Sequence, residues 1–234
     1  MIDTGADWHT HSTTTDGHDP LADMVGAGAA AGLHTIGLSD HVRASTDWLP
    51  DYVREVRGLA DSAPLTVRCG VEVKILDATG RLDLPAELPP LDYLLVADHQ
   101  FPGPDGPVHP DRVRALLEEG VWDAASALDM LVTATARALA ASPVPPDLAH
   151  LFSLLPKCGL DEQQVSDEHL DALADACLAT GGWVEANEKW RCPGIPALAH
   201  LARRGVALSA GSDAHRAADV GRWDYVPAVV RELT

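Results

Sequence analysis

An α/β architecture of parallel βα units follows from two features of the sequence. Seven short apolar runs punctuate the chain, and amphipathic or alanine-rich stretches of helical length separate most of them. Strands that alternate with helices pair in parallel, because each helix carries the chain back across the sheet. With 234 residues the chain can bury a sizeable core without staples. Closure of the seven strands into a TIM-like barrel is the natural solution at this length, although a full TIM barrel has eight. An open, doubly wound sheet satisfies the same pattern.

The strand candidates, in order, are residues 6–11, 35–40, 66–73, 93–97, 147–150, 183–186 and 207–210. A helix over 20–31 is predicted to open on Asp19 as N-cap, with Pro20 in its first turn, and to close at Gly32. Further helices are predicted over 49–60, 110–119, 122–141, 167–179 and 195–204, the one over 122–141 on alanine propensity. Proline-rich loops at 84–90, 102–110 and 142–146 interrupt nothing, since the alternation continues on both sides. Residues 1–234 therefore read as one domain, without internal repeat or low-complexity tail.

Charge narrows the function. Lys and Arg number 17 against 35 Asp and Glu, a net charge of -18. A protein that coats nucleic acid needs a basic face, and so does one that sits on an anionic membrane. The acidity leaves room for a small anionic substrate, because bound metal ions can invert a local field. The only lysines are Lys74, Lys157 and Lys189. Cys69, Cys158, Cys177 and Cys192 form no Cys-x-x-Cys pair and read as reduced thiols of a cytoplasmic protein. The N-terminus shows no signal-peptide pattern, and no apolar run reaches the ~18 residues of a membrane span.

The 11 histidines are most informative by placement. Asp7, His9 and His11 alternate, so on an extended strand they share a face, where two imidazoles can bind one ion. Asp7 is placed to orient one of them. Asp16 follows in a Thr-Asp-Gly turn. Gly37, Ser39 and His41 share a face, and the two small residues would leave room for a metal or substrate. Glu72 and Lys74 share the face opposite Val71 and Val73; a carboxylate and an ammonium there are costly to bury unless paired or metal-bound. The next runs end in Asp98-His99 and in His150. Glu185 and Asn187 share a face, and Asp213 and His215 end the last strand. The strand ends thus carry His, Glu or Asp on what can be one rim, the rim where parallel βα folds build their sites. A His/carboxylate set without cysteine suits Zn, Mn or Fe in hydrolytic centres.

This ordered set resembles the polymerase and histidinol phosphatase (PHP) family, from Asp7 to His215. The likeness rests on His9-Thr10-His11-Ser12 with Asp16-Gly17, Ser39-Asp40-His41, Gly70-Val71-Glu72, His99, His150, and Gly211-Ser212-Asp213-Ala214-His215. It implies a distorted (β/α)7 barrel and nine metal ligands: His9, His11, Asp16, His41, Glu72, His99, His150, Asp213 and His215. These would hold two to three divalent ions. His9, His11, Glu72 and Asp213 would hold one; Glu72, His99 and His150 a second; Asp16, His41 and His215 the third. His34, His109, His169 and His200 read as ordinary solvated residues.

The expected activity is hydrolysis of a small phosphate monoester through metal-activated hydroxide, with Glu72, Asp213 and His215 as catalytic residues. Histidinol phosphate is the first candidate substrate by resemblance. Lys74, Arg43, Lys189, Arg191 and Arg216 are candidates to bind its phosphate, and Glu185 and Asn187 to bind substrate or support ligands. With Trp190, the loop over 188–192 could shape a pocket for the organic moiety. Two alternatives stand: a nucleic-acid phosphodiesterase or 3′-5′ exonuclease, against which the charge counts, and a non-catalytic metal-stabilised scaffold, against which the complete ligand set counts. The oligomeric state stays open.

Overall fold

Every apolar run predicted as a strand contains a strand in the computed structural model, which describes residues 1–233, although the run over 147–150 turns at Ala149 and His150. The strands are β1 (Ala6–Asp7), β2 (Thr35–Leu38), β3 (His41–Val42), β4 (Thr66–Lys74), β5 (Tyr93–Ala97), β6 (Phe101–Gly103), β7 (Gly106–Val108), β8 (Pro146–Leu148), β9 (Trp183–Asn187) and β10 (Ala207–Gly211). The main helices are α1 (Leu21–Ala30), α2 (Leu49–Ala60), α3 (Pro110–Glu118), α4 (Ala124–Ala140), α5 (Leu155–Cys158), α6 (Asp167–Thr180), α7 (Ile195–Arg203) and α8 (Tyr225–Leu233).

Seven strands run in the order β1-β2-β4-β5-β8-β9-β10, all pairs parallel. The two ends of this path meet: Trp8 N–H donates to Ala210 O at 2.9 Å, and Thr10 bridges Ala214 in parallel. The sheet is therefore a nearly closed barrel rather than an open one. β3 continues β2 along β4, pairing His41 with Glu72 three residues beyond Leu38–Cys69. The break falls at Ser39, whose N–H turns to Thr10 O.

The barrel wall is buried on both faces, which is why its strands are near-continuous apolar runs. The main core lies between wall and helices, with Val71, Val73, Leu94 and Val96 facing residues such as Leu131, Leu139, Leu173 and Leu198. A smaller cluster fills the barrel interior around Tyr93, Leu95, Ala97 and Ala149, with Trp8 and Trp183 packed against it. Gly37 and Gly70 have room for no side chain, because a Cβ at either would overlap the Tyr93 ring. The space beside Gly37 thus holds Tyr93, not a metal or substrate.

Other expectations are revised. The first strand is only β1; residues 8–11 continue extended with a single bridge at Thr10. Asp19 does not cap α1, whose N-cap is Pro20; its carboxylate accepts from Ala217 N–H instead. The loop over 102–110 contains the β6–β7 hairpin, turning at Pro104-Asp105 between the paired Gly103 and Gly106. The short α5 and the C-terminal α8 also go beyond the predicted helices. No helix among the described residues is long and apolar enough to cross a membrane.

Candidate metal centre

The C-terminal ends of the barrel strands carry the polar side chains that the interior cannot accept. His9 and His11 follow β1, His41 lies on β3, Glu72 on β4, His99 and His150 follow β5 and β8, and Asp213 and His215 follow β10. All nine predicted ligand positions, Asp16 included, fall into four overlapping groups whose ligand atoms lie within 4.8 Å of one another.

Glu72 stands at the middle and is buried. Its Oε1 lies 2.9 Å from both His99 Nε2 and His150 Nε2. Its Oε2 lies 3.0 Å from His41 Nδ1, 3.3 Å from His11 Nε2 and 3.5 Å from His9 Nε2. On one side His9 Nε2 and His11 Nε2, 2.9 Å apart, face Asp213 Oδ1 at 4.0 and 3.7 Å. On the other, Asp16 Oδ2 lies 3.4 Å from both His41 Nε2 and His215 Nε2. The groups overlap more than predicted, since His11 joins the Asp16 group and His41 joins Glu72 and His99. His18 enters none of them.

The residues fit metal ions on three counts. Tetrahedral ligands at about 2.0–2.2 Å from an ion are separated by roughly 3.3–3.6 Å, close to most of the spacings around His9, His11, Glu72 and Asp213. The buried Nδ1 of His11 has no hydrogen-bond partner. Finally, burial, reinforced by the imidazoles of His9, His41 and His215, holds the His11 ring well below the usual histidine range despite Glu72. A neutral imidazole is the form that can ligate a metal. Glu72 is the complement: burial opposes its charge, but the imidazoles of His99 and His9 and hydrogen bonds from His150 and His41 hold its carboxyl well below the usual range.

Buried carboxylates brace this cluster. Glu185 Oε1 lies 2.8 Å from His9 Nδ1, and its Oε2 accepts from His150 N–H at 2.6 Å and from Asn187 Nδ2 at 3.1 Å. Asn187 Oδ1 accepts from Trp190 N–H at 2.8 Å. Glu185 and Asn187 are fully buried, and their side chains contact His9, the His150 N–H, each other and the Trp190 N–H. Gly211 lacks a side chain because a Cβ there would overlap Glu185 Oε1. Asp40 accepts from Ser12 N–H, Ser12 Oγ and Thr15 Oγ1, fixing the turn that carries Asp16. Asp7 meets no imidazole: it accepts from the backbone N–H of His9, Ser212 and Gly221. Burial pushes the Asp98 carboxyl up to about 7, and neither of its oxygens has a hydrogen-bond partner.

The predicted cations separate. Lys189 lies over the cluster, with Nζ 3.1 Å from Asp213 Oδ1 and 3.2 Å from His215 Nδ1. Lys74 and Arg43 line an adjacent cavity, and Arg216 lines another. Arg191 is exposed, at a φ of 53°, and lines neither. The residue missed from sequence is Lys157. It shares the space directly over the ligands with Lys189 and Trp190, and its Nζ sits 4.0 Å from the Trp190 ring centroid. Trp190 Nε1 donates to Asp213 Oδ2 at 2.9 Å. Nothing in the spacing marked Lys157, which sits on the short α5. His169 and His200 are mostly buried rather than solvated, each within 2.8 Å of an aspartate, Asp129 and Asp171 respectively. His109 caps α3 through its side chain, and His34 pairs with Asp3.

A parallel barrel with a His/carboxylate cluster on the carboxyl rim of its strands presents a donor set of the kind that binds metal ions in hydrolytic centres. The chain belongs to the PHP family: the PHP domain model matches residues 7–181. Asp213 and His215 lie beyond that match and join the cluster by geometry. The fold is similar to histidinol phosphate phosphatase from Lactococcus lactis subsp. lactis, solved with zinc, L-histidinol and phosphate. There the TM-score is 0.65 at 17% identity, over 97% of this chain and 91% of that one. It is also similar to a Listeria monocytogenes protein assigned as a histidinol phosphatase, with a TM-score of 0.64 at 16% identity, over 93% and 97%. No curated protein sequence matches.

Proposed function

We propose that this protein is a metal-dependent phosphoesterase that hydrolyses a small-molecule phosphate monoester. The observation that carries this reading is the convergence of nine ligand-type side chains in four overlapping groups, with the buried carboxylate of Glu72 in two of them. His9, His11 and Asp213 with Glu72 would hold one ion, Glu72 with His99 and His150 a second, and Asp16 with His41 and His215 a third. Bound there, divalent ions supply Lewis acidity and activate water near neutral pH. The histidine-rich donor set suits Zn, Mn or Fe.

The chain's own groups do the rest. Glu185, accepting a hydrogen bond from Nδ1–H of His9, leaves Nε2 free to ligate. Lys157 and Lys189 carry the only ammonium groups over the cluster, and they would hold phosphoryl oxygens as charge develops. Trp190 fixes both Asp213 and Lys157. In the overall reaction water adds its oxygen to phosphorus, the ester P–O bond breaks and a proton passes to the leaving alcohol. Turnover would depend on Glu72, shared by two of the groups, and on Asp213 and His215, which face each other at 3.3 Å from two adjoining groups.

Elemental analysis together with phosphate release from a panel of monoesters tests the reading. Histidinol phosphate belongs in that panel because the Lactococcus structure holds L-histidinol and phosphate. About two to three equivalents of metal with turnover of a monoester is the expected result. Full loading with cleavage of diesters only would overturn it.

A further inference from the structure

Two large cavities flank the centre, and their outer charges differ. One, of about 720 Å³, is lined beyond Asp213 and His215 by Lys189, Arg216 and Arg222 and by Glu188, Asp219 and Asp224, so its charges cancel. The larger, of about 810 Å³, shares Asp16, His41, Glu72 and His99 with the cluster and continues to Arg43, Thr46, Trp48, Lys74, Asp83 and Gln100. Its outer charges are two cations against Asp83 alone.

Those two cations lack carboxylate partners. Lys74 Nζ has only the amide oxygen of Gln100, at 3.4 Å, and the Arg43 guanidinium makes no ion pair among the described residues. Asp83 is engaged by Ala44 N–H at 2.9 Å. Lys157 and Lys189 line the smaller space of about 180 Å³ directly over the ligands, where neither Arg43 nor Lys74 is found. The cations thus form two pairs in two compartments, which matches two anionic groups on one ligand. The larger compartment has the volume of an ordinary small-molecule site. Trp48, held edge-on by Tyr52 at 5.5 Å between centroids, gives it an aromatic wall.

We propose that the substrate is a phosphate monoester whose leaving group carries a second anion, a carboxylate or another phosphate, bound by Arg43 and Lys74. A cationic leaving group such as that of histidinol phosphate is disfavoured there. The inference rests on the phosphomonoesterase reading for its chemistry, but the anion site itself can be tested without turnover.

The metal-loaded protein is assayed on matched esters. Glycerol 3-phosphate is compared with 3-phosphoglycerate for a carboxylate, adenosine 5′-monophosphate with adenosine 3′,5′-bisphosphate for a phosphate, and phosphoethanolamine supplies the cation. At least one anionic member should exceed its partner by about tenfold or more in kcat/KM. Arg43→Ala and Lys74→Ala should each shrink that ratio to within about threefold of one. Calorimetric binding of the same ligands runs alongside. Selective, Arg43-dependent binding of an anionic member without hydrolysis of any ester would sink the phosphatase reading and keep the anion site. Hydrolysis with no charge preference, or a preference for phosphoethanolamine, would sink the anion site and keep the phosphatase. A ratio that survives in both variants also overturns it, as does the absence of both hydrolysis and selective binding.

Discussion

Glu185 Oε1 lies 2.8 Å from His9 Nδ1, at 0% exposure on both sides. The two residues are 176 positions apart in sequence, so only closure of the barrel between β10 and β1 brings β9 close enough to set the His9 ring. A buried carboxylate in this position fixes which imidazole nitrogen is free. With its other oxygen on His150 N–H, Glu185 orients two sides of the centre at once.

Glu185→Gln keeps the volume but replaces one acceptor oxygen with a donor. The His9 ring then loses the acceptor that sets its tautomer, or His150 N–H loses its own. Metal affinity is expected to fall about 10- to 100-fold, with a matching loss of turnover at limiting metal that excess metal partly restores. Competition of the variant and wild type against a metal-binding dye measures this. Unchanged affinity would show that Glu185 does not position His9.

Gly211→Ala tests the same contact from the opposite side. A methyl group there would overlap Glu185 Oε1 and crowd His9 Cβ. Overpacking of this kind costs about 1–3 kcal/mol, read as a lower urea midpoint. Because the strain falls on Glu185, bound metal should also drop, whereas an overpacked residue remote from the centre would lower the midpoint alone.

The alternation of strands and helices was legible because it needs only local periodicity. Most of the ligand-type residues were legible because His, Asp and Glu at strand ends are out of place in an apolar wall; the full set of nine, Asp16 included, came from the resemblance to the PHP family. Their supports were harder to read. Asp7 and Asp40 resemble any polar residue at a strand end, and only the fold shows one tying Ser212 and Gly221, the other Ser12 and Thr15. Lys157 carries no pattern at all. Gly37 misled because an absent side chain reads as free space, and Tyr93 from another strand fills it.

Metal removal should loosen the barrel rim. Without ions, the donor atoms clustered on Glu72 face one another directly, and a ligand that binds only the folded state stabilises it by mass action. At free metal about 100 times its dissociation constant, one site contributes about 2.7 kcal/mol. Chelated protein should melt lower and recover on adding Zn or Mn. An unchanged melting temperature would argue that no ion is held by the fold.

Away from the centre, Arg57 gives a pH-dependent contribution. Asp92 accepts from Arg57 Nη1 and Nη2 at 2.8 and 3.0 Å and from Cys69 N–H at 2.7 Å. Burial would raise its carboxyl, but the guanidinium and the Cys69 N–H outweigh it and hold it below the usual carboxylate range. A carboxyl lowered by folding stabilises the protein above its unfolded value, about 3.9, and that stability is lost as pH falls through the lower folded value. Because the pair is partly exposed, Asp92→Asn should cost about 1 kcal/mol at neutral pH. The gap from wild type should close in acid; a gap that widened there would reverse the assignment.

Trp190 reports on the centre directly. Its indole Nε1 donates to Asp213 Oδ2, and Lys157 stacks on its ring, although the side chain is 44% exposed. A metal drawing on Asp213 therefore changes the surroundings of this indole. Titration with Mn, a paramagnetic quencher, should dim tryptophan emission, and Trp190→Phe should remove most of that change. Phenylalanine keeps a ring for Lys157 but no donor for Asp213, whereas Trp190→Ala loses both. The alanine variant should accordingly raise KM for a monoester more than the phenylalanine variant, by about three- to tenfold against wild type, as expected for about 1 kcal/mol of cation–π support on Lys157. Equal KM values for the two variants would mean that Lys157 reaches the phosphate without the ring beneath it.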